Sequence, residues 1–400
     1  MDEQPNLQNF VNEISSFSDD GSAPKATSPA AVSLQPIGEV LEIAGSGSRI
    51  RMDNAVLASN FNHSDPSVGM SGQVGSQVKM AVGNSWLIAN VRTMKSENNE
   101  ITAAIDFLGE GVRDSRGGMS NFRRGVTRYP IPGDKVLPVT TQDLRSVFAA
   151  DDSPHIEIGT VYPTDEIRGA LYVDPMLSKH FAVLGSTGTG KSTSVSLILH
   201  RISELSPEGH IVMIDPHGEY SAAFKDCGEL FNVDNLQLPY WLMNFEEHCE
   251  VILTTHGAER QRDADILAKC LLAARTKGKN MEQFGKVTVD SPIPYLLADL
   301  NGIIVNEMGK LDRAGDTLPY QRLKTKLEEL RADPRYTFMF SGMLVSDTMG
   351  GFLAKLFRLP SHGRPISIVD VSGVPSEITS VVVSVLARMV FDYAIWSRTE

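Results

Sequence analysis

The hydrophobic texture of the chain changes twice along its length. The first 36 residues mix Ser, Asp, Ala and Pro with few aromatics. So few apolar side chains cannot offset ordering entropy, so disorder is expected over 1–36, with Asn6 to Phe17 holding period for one or two amphipathic turns. From Ile37 short apolar runs appear between Gly, Asn and Asp: Gly38 to Ile43, Val78 to Val82, Ser85 to Val91, Ile101 to Phe107 and Lys135 to Pro138. Each has strand length, and hardly any helical period lies between them. A small β-barrel domain over residues 37–155 is the architecture this predicts. Within it, the two prolines of Tyr129 to Val136 forbid a helix and mark a turn feeding a strand.

Past residue 155 the period lengthens. Phe181 to Leu184 is an unbroken apolar run, the pattern of a strand buried on both faces. Lys191 to Leu205 then carries Val195, Ile198 and Leu199 on one side, as a helix would. Ile211 to Ile214 reads as a second buried strand, and strand, helix, strand implies a βαβ unit with a parallel sheet. Residues 245–345 read as mostly helical, with Ala258 to Lys277 and Tyr320 to Ala332 the clearest segments and Asp333-Pro334 closing the second. Pro365 to Val369 is a third strand of the parallel type, and Ser376 to Ser397 a long apolar helix. Met213 and Met389 fall on core positions. The expected fold class is α/β: a parallel-sheet core over 156–400 with a helical insertion at about 245–345, preceded by the barrel.

Composition narrows the function further. Apolar residues make up 42% of 400, enough for a sizeable core. Lys plus Arg number 37 against 49 Asp plus Glu, a net charge of −12, which excludes a generally basic nucleic-acid coat. A local basic channel stays open, since phosphate contacts need only a few clustered cations. No apolar run is expected to approach the roughly 18 residues of a membrane span. The start Met1-Asp2-Glu3-Gln4 lacks the basic and apolar parts of a signal peptide. Cys227, Cys249 and Cys270 are widely spaced and odd in number, which fits buried thiols in a reducing compartment. A soluble, cytoplasmic chain with no membrane partner is expected.

The sharpest signal is Gly185-Ser186-Thr187-Gly188-Thr189-Gly190-Lys191-Ser192, followed by Thr193, which fits GxxxxGK[ST] in full. Glycines let the backbone curl into a nest of inward N–H groups, and the helix beginning at Lys191 adds its positive end. Lys191 is placed to reach the β- and γ-phosphates and Ser192 to ligate Mg2+. ATP and Mg2+ are the cofactors this predicts. Ile214-Asp215-Pro216-His217-Gly218-Glu219-Tyr220 follows at the second strand's end, where ligands of parallel sheets gather. Asp215, His217 and Glu219 are candidates there, Asp215 through a magnesium-bound water. Equally, Asp, Pro and Gly are turn residues, and Asp215 could simply cap the turn.

Weaker signals are two basic clusters, Arg123, Arg124 and Arg128, and Arg275, Lys277 and Lys279. Either could meet DNA phosphates, but solvated faces are the commoner use, and Lys277 and Lys279 suit a helix C-terminus. The nine histidines show no paired metal spacing, so no zinc is expected.

A β-rich unit, then GSTGTGKST, then IDPHGEY resembles the HerA family of the FtsK/HerA group of RecA-like P-loop ATPases. Arg335 to Phe340 and Ile368 to Pro375 look like that family too, so the resemblance spans about residues 37–400. It implies a HerA-type barrel, a RecA-like P-loop ATPase core, and a homo-hexameric ring that moves double-stranded DNA with ATP. A nuclease or other effector partner is implied as well. A ring scaffold that uses nucleotide only to assemble is the alternative, and a conjugation-type motor of the same superfamily would be expected to bring membrane spans.

The resemblance also sets a departure. RecA-like hydrolases place a glutamate at a later strand end to polarise water, and a neighbour's arginine acts on the transition state. The strand ends at Asp215-Pro216 and Asp370-Val371 carry no such glutamate. Asp370 could be mistaken for a magnesium aspartate, but its Val-Ser-Gly-Val-Pro continuation looks like a structural element of the family. The long helix runs to Glu400, so the sequence looks truncated. Groups that act only in the transition state change turnover more than ground-state binding. These 400 residues are therefore expected to bind ATP and Mg2+ but to hydrolyse ATP near background, lacking an arginine worth about 10³ to 10⁵ in rate. Robust DNA-stimulated phosphate release by the same chain would overturn that expectation.

Overall fold

The computed structural model describes residues 34–44, 48–97, 100–115, 117–277, 286–341 and 349–397. The expectation of disorder over 1–36 falls almost wholly outside them, as does Lys279. The chain separates into two compact units, one ending at Leu184 and the other running from Gly185.

In the first unit seven strands form one antiparallel sheet: β1 (Gly38–Glu42), β2 (Ser48–Met52), β3 (Gln77–Val82), β4 (Ser85–Glu97), β5 (Glu100–Arg113), β6 (Met119–Arg124) and β7 (Lys135–Pro138). Their order is β2-β1-β7-β3-β4-β5-β6, and β2 also pairs with β5. That pairing closes six strands into a barrel with β6 outside the ring, so those six have no free edge to manage. Ile50, Val78, Met80, Leu87, Ile105 and Val136 fill the interior. Outside, the Thr141–Phe148 helix packs Leu144 against Trp86 and Ile88. It starts with a capping box between Thr140 and Asp143. Lys79 Nζ donates to Asp143 Oδ2 at 2.6 Å with both residues buried, and the same ammonium lies 4.9 Å from the Trp86 ring centroid. Two further strands, β8 (His155–Thr160) and β9 (Arg168–Tyr172), pair as a hairpin.

The sequence-based strand at Phe181 to Leu184 is not formed. These residues adopt no regular structure, and Phe181 and Leu184 are exposed. Four apolar residues have the pattern of a buried strand, but a strand also needs neighbours for its N–H and C=O groups.

In the second unit β10 (Ile211–Asp215), β11 (Gly228–Phe231) and β12 (Ile366–Asp370) form a parallel sheet of order β10-β12-β11. β12 is buried as the central strand. β11 escaped the sequence reading because Gly-Glu-Leu-Phe is short and mixed. The Lys191–Leu205 helix forms over the span expected, its first turn beginning at Gly190. Helices Phe245–Ile252, Gly257–Thr276, Leu297–Met308 and Ala314–Ala332 make the insertion. Leu267, Leu271, Leu300, Ile304, Leu323 and Leu327 share one core with Val382, Val385 and Leu386 of the Ser376–Trp396 helix.

That last helix corrects the expectation about apolar runs, being 21 residues long with an 18-residue stretch of mean hydropathy 1.7. By length and composition it could cross a membrane. One face is nonetheless fixed in the core, and Arg388 pairs with the buried Glu247 at 2.9 Å.

Cys249 and Cys270 are buried and Cys227 half-buried, all three as free thiols. Met389 is core, whereas Met213 is only partly buried beside Ile366 and Ile368.

A polar chain runs through the insertion's core. Leu297 N–H donates to Tyr240 Oη, Tyr240 donates to the Tyr295 carbonyl, and the Tyr295 hydroxyl lies 2.9 Å from His248 Nε2. His248 Nδ1 meets the Asn244 carbonyl at 2.7 Å, so Nδ1 carries the proton and Nε2 accepts. Burial, helped by the Arg275 charge, holds the His248 pKa down at about 3 from its ordinary 6.5. The unfolded chain takes up this proton below pH 6.5 and the folded one only near pH 3. Stability should therefore fall by a few kcal/mol as pH drops through that window. Denaturant midpoints at pH 7 and pH 4.5 should differ less in His248→Gln than in the parent. An identical pH dependence in the variant would show that His248 does not carry it.

Candidate functional site

The loop from Gly185 to Gly190 is shaped by its glycines. Gly188 and Gly190 have φ of +83° and +85°, the left-handed region that side chains disfavour. Thr189 Oγ1 donates to the Ser186 carbonyl at 2.8 Å, which tightens the turn. Gly190 then caps the helix, and Ser194 N–H is the first to bond back, to the Gly190 carbonyl at 2.8 Å. The N–H groups of Lys191, Ser192 and Thr193 precede that first bond and lie at the positive end of the helix. Lys191 Nζ reaches over the loop to the Ser186 carbonyl at 2.8 Å.

A second segment meets this loop from β10. Asp215 is 1% exposed, and its carboxylate accepts from three backbone amides: His217 N at 3.2 Å, Gly218 N at 3.0 Å and Tyr220 N at 3.0 Å. The turn-capping use of Asp215 is thus the one visible. Both of its oxygens are spent on the loop, leaving little for a metal-bound water. The loop so held carries Glu219 outward, where Glu219 Oε2 accepts from Ser192 Oγ at 2.6 Å. His217 is exposed, and its ring makes no hydrogen bond among the described residues.

The helix start at Ser192 and the loop residue Glu219 thus come together, while Asp215 is buried at the base of that loop and His217 is exposed on it. A hydroxyl and a carboxylate in contact are the hard oxygen donors that Mg2+ takes, usually with phosphate oxygens and water. These side chains fit that ion, and the first-turn amides of the helix with a lysine fit a polyphosphate.

The basic clusters fare unequally. Arg275 is fully buried, donates from Nη2 to the Met243 carbonyl at 2.9 Å and lies 5.9 Å from the Tyr295 ring centroid. It cannot touch DNA, and its place as a helix-end surface cation is corrected by the tertiary core around it. Lys277 Nζ pairs with Asp299 at 2.6 Å. Arg123 is tied to Glu110, a carboxylate that also accepts from Thr127 N at 3.0 Å and is held down at about 2 by these donors. Arg124 and Arg128 are exposed.

A glycine-rich loop entering a helix beside the carboxyl ends of a parallel sheet defines a P-loop nucleotide-binding protein. The family described as helicase HerA, central domain, matches residues 156–390, and the chain belongs to it. A curated relative, the DNA double-strand break repair helicase HerA of Pyrococcus furiosus, is 29% identical over 189 residues, 44% of this chain and 33% of that protein. The probable DNA double-strand break repair helicase HerA of Methanocaldococcus jannaschii is 30% identical over 133 residues, 32% of this chain and 24% of its own length. The match thus spans a third or less of these relatives. Among solved structures, VirB4 of Thermoanaerobacter pseudethanolicus aligns with a TM-score of 0.41 at 14% identity, covering 63% of this chain and 66% of that one.

Lys191→Ala removes the cation of the phosphate loop, whose ammonium among the described residues bonds only a loop carbonyl. It should weaken ATP binding by about tenfold or more, as loss of a charge-assisted contact does, while leaving the melting temperature unchanged. Equal ATP affinity of variant and parent in titration calorimetry would sink the site.

Proposed function

We propose that this chain carries the nucleotide-binding core of a HerA-type ATPase that moves double-stranded DNA, working in the cytoplasm as a homo-hexameric ring. The observation that carries the reading is the junction of loop and acid: Ser192 against Glu219 beside the Lys191 loop, in a chain of the HerA central-domain family. Gly185 to Thr193 would cradle ATP, with Lys191 on the β- and γ-phosphates. Ser192 and Glu219 would hold Mg2+, which supplies charge neutralisation at the phosphates. The relatives' names specify DNA double-strand break repair and helicase activity, which supports double-stranded DNA as the partner. Residues 37–155 would be the HerA-type barrel and 156–400 the RecA-like core. Arg124 and Arg128 are the exposed basic candidates for phosphate contact, and a nuclease or other effector would share the ring.

Mass photometry with ATP, Mg2+ and a short duplex tests the reading. A six-copy assembly that retains duplex, and fails to form in Lys191→Ala, is expected. An assembly that forms with nucleotide but ignores DNA would favour a ring scaffold for an effector. A chain that stays monomeric and leaves duplex unbound would overturn both.

A further inference from the structure

We propose that Asp370 is the second carboxylate of the nucleotide site, facing the metal–phosphate position together with Glu219, while Asp215 serves only to hold the loop. This rests on the nucleotide-binding reading above. Ligands of parallel sheets gather at the carboxyl ends of the strands, and Asp370 ends the central one, β12. It is the register partner of Asp215, and Val371 N–H donates to the Asp215 carbonyl at 3.0 Å, so the two strand ends are locked together.

The two carboxylates are in opposite conditions. Asp215 is buried with three backbone amides on its oxygens. Asp370 is half-buried, and only its Oδ1 is engaged, by Ser372 N at 2.9 Å. Among the described residues no Lys or Arg pairs with it. The residue before Glu219 sits against this acid: a Cβ on Gly218 would lie 3.3 Å from Asp370 Oδ2 and 3.3 Å from Ser372 Oγ. Gly218 also has a φ of +67°, so glycine serves both the backbone and the close approach. Close contacts therefore run from Asp370 through Gly218 and Glu219 to Ser192. An uncommitted carboxylate oxygen at this point can accept hydrogen bonds from water around a divalent ion, a task for which Asp215, buried and with three of its roughly four lone-pair sites already taken by amides, is poorly placed.

Titration calorimetry of ATP against the 400-residue chain, with and without Mg2+, separates the possibilities. Asp370→Asn should keep the metal-free ATP affinity and lose about tenfold of the gain that Mg2+ confers, as expected for one charge-assisted contact. Asp370→Ser keeps an acceptor for the Ser372 amide and should show the same loss, which guards against an effect of local unfolding. Asp215→Asn should keep the Mg2+ gain and lower the melting temperature instead. A full Mg2+ gain in either Asp370 variant, or loss of that gain in a stable Asp215→Asn, overturns the assignment. A parent chain that binds no ATP under either condition overturns the nucleotide site itself, and the proposal with it.

Discussion

A buried carboxylate must find donors, and in this protein one such carboxylate sets the geometry of the site. Asp215, at the end of β10, answers three backbone amides, those of His217, Gly218 and Tyr220, and so curls Pro216 to Tyr220 into a fixed loop. Hydrogen bonds to a charged acceptor in a low-dielectric setting are strong, and an unpaired alternative would be costly. The loop's outer residue, Glu219, is thereby presented to Ser192 at the first turn of the Lys191–Leu205 helix. The phosphate loop alone could recruit an anion. It gains an acidic oxygen beside its hydroxyl only because Asp215 has been spent on architecture.

Much of this was readable in the sequence, and the exceptions have physical reasons. The phosphate loop was legible because its geometry needs glycine at positive φ and a lysine at the helix start, demands that few residues meet. The role of Asp215 was not, since Asp-Pro-His-Gly serves a turn and a catalytic acid equally well. Only the count of amides pointing at its oxygens separates the two. Asp370 was read as structural for the converse reason: its Val-Ser-Gly-Val-Pro continuation resembles a structural element of the family, and its nearness to Gly218 depends on a long-range parallel pairing that sequence does not display.

The other discrepancies have one cause, which is that local pattern does not report tertiary neighbours. Phe181 to Leu184 looks like a buried strand and is exposed, because apolar texture does not supply hydrogen-bonding partners. Arg275 looks like a solvated helix-end cation and is fully buried, beside the same Tyr295 whose hydroxyl serves His248. The barrel was anticipated from strand length and turn spacing, but its closure through β2 and β5 was not, since β2 reads Ser-Arg-Ile-Arg-Met and looks polar. Alternation explains it: Ser48, Ile50 and Met52 are buried while the two arginines reach outward.

Charge tells a consistent story in both units. The chain is acidic overall, yet many of its cations are already engaged: Lys79 with Asp143, Arg123 with Glu110, Lys277 with Asp299 and Arg388 with Glu247. Cations held in this way contribute less to a polyanion, because each must first give up a carboxylate. Among the described residues of the two basic clusters this leaves the exposed Arg124 and Arg128, on the β6 strand and the turn after it, as the groups with the least to lose. Attraction for any polyanion would thus rest on local exposed arginines rather than on the net charge of the chain, which opposes it.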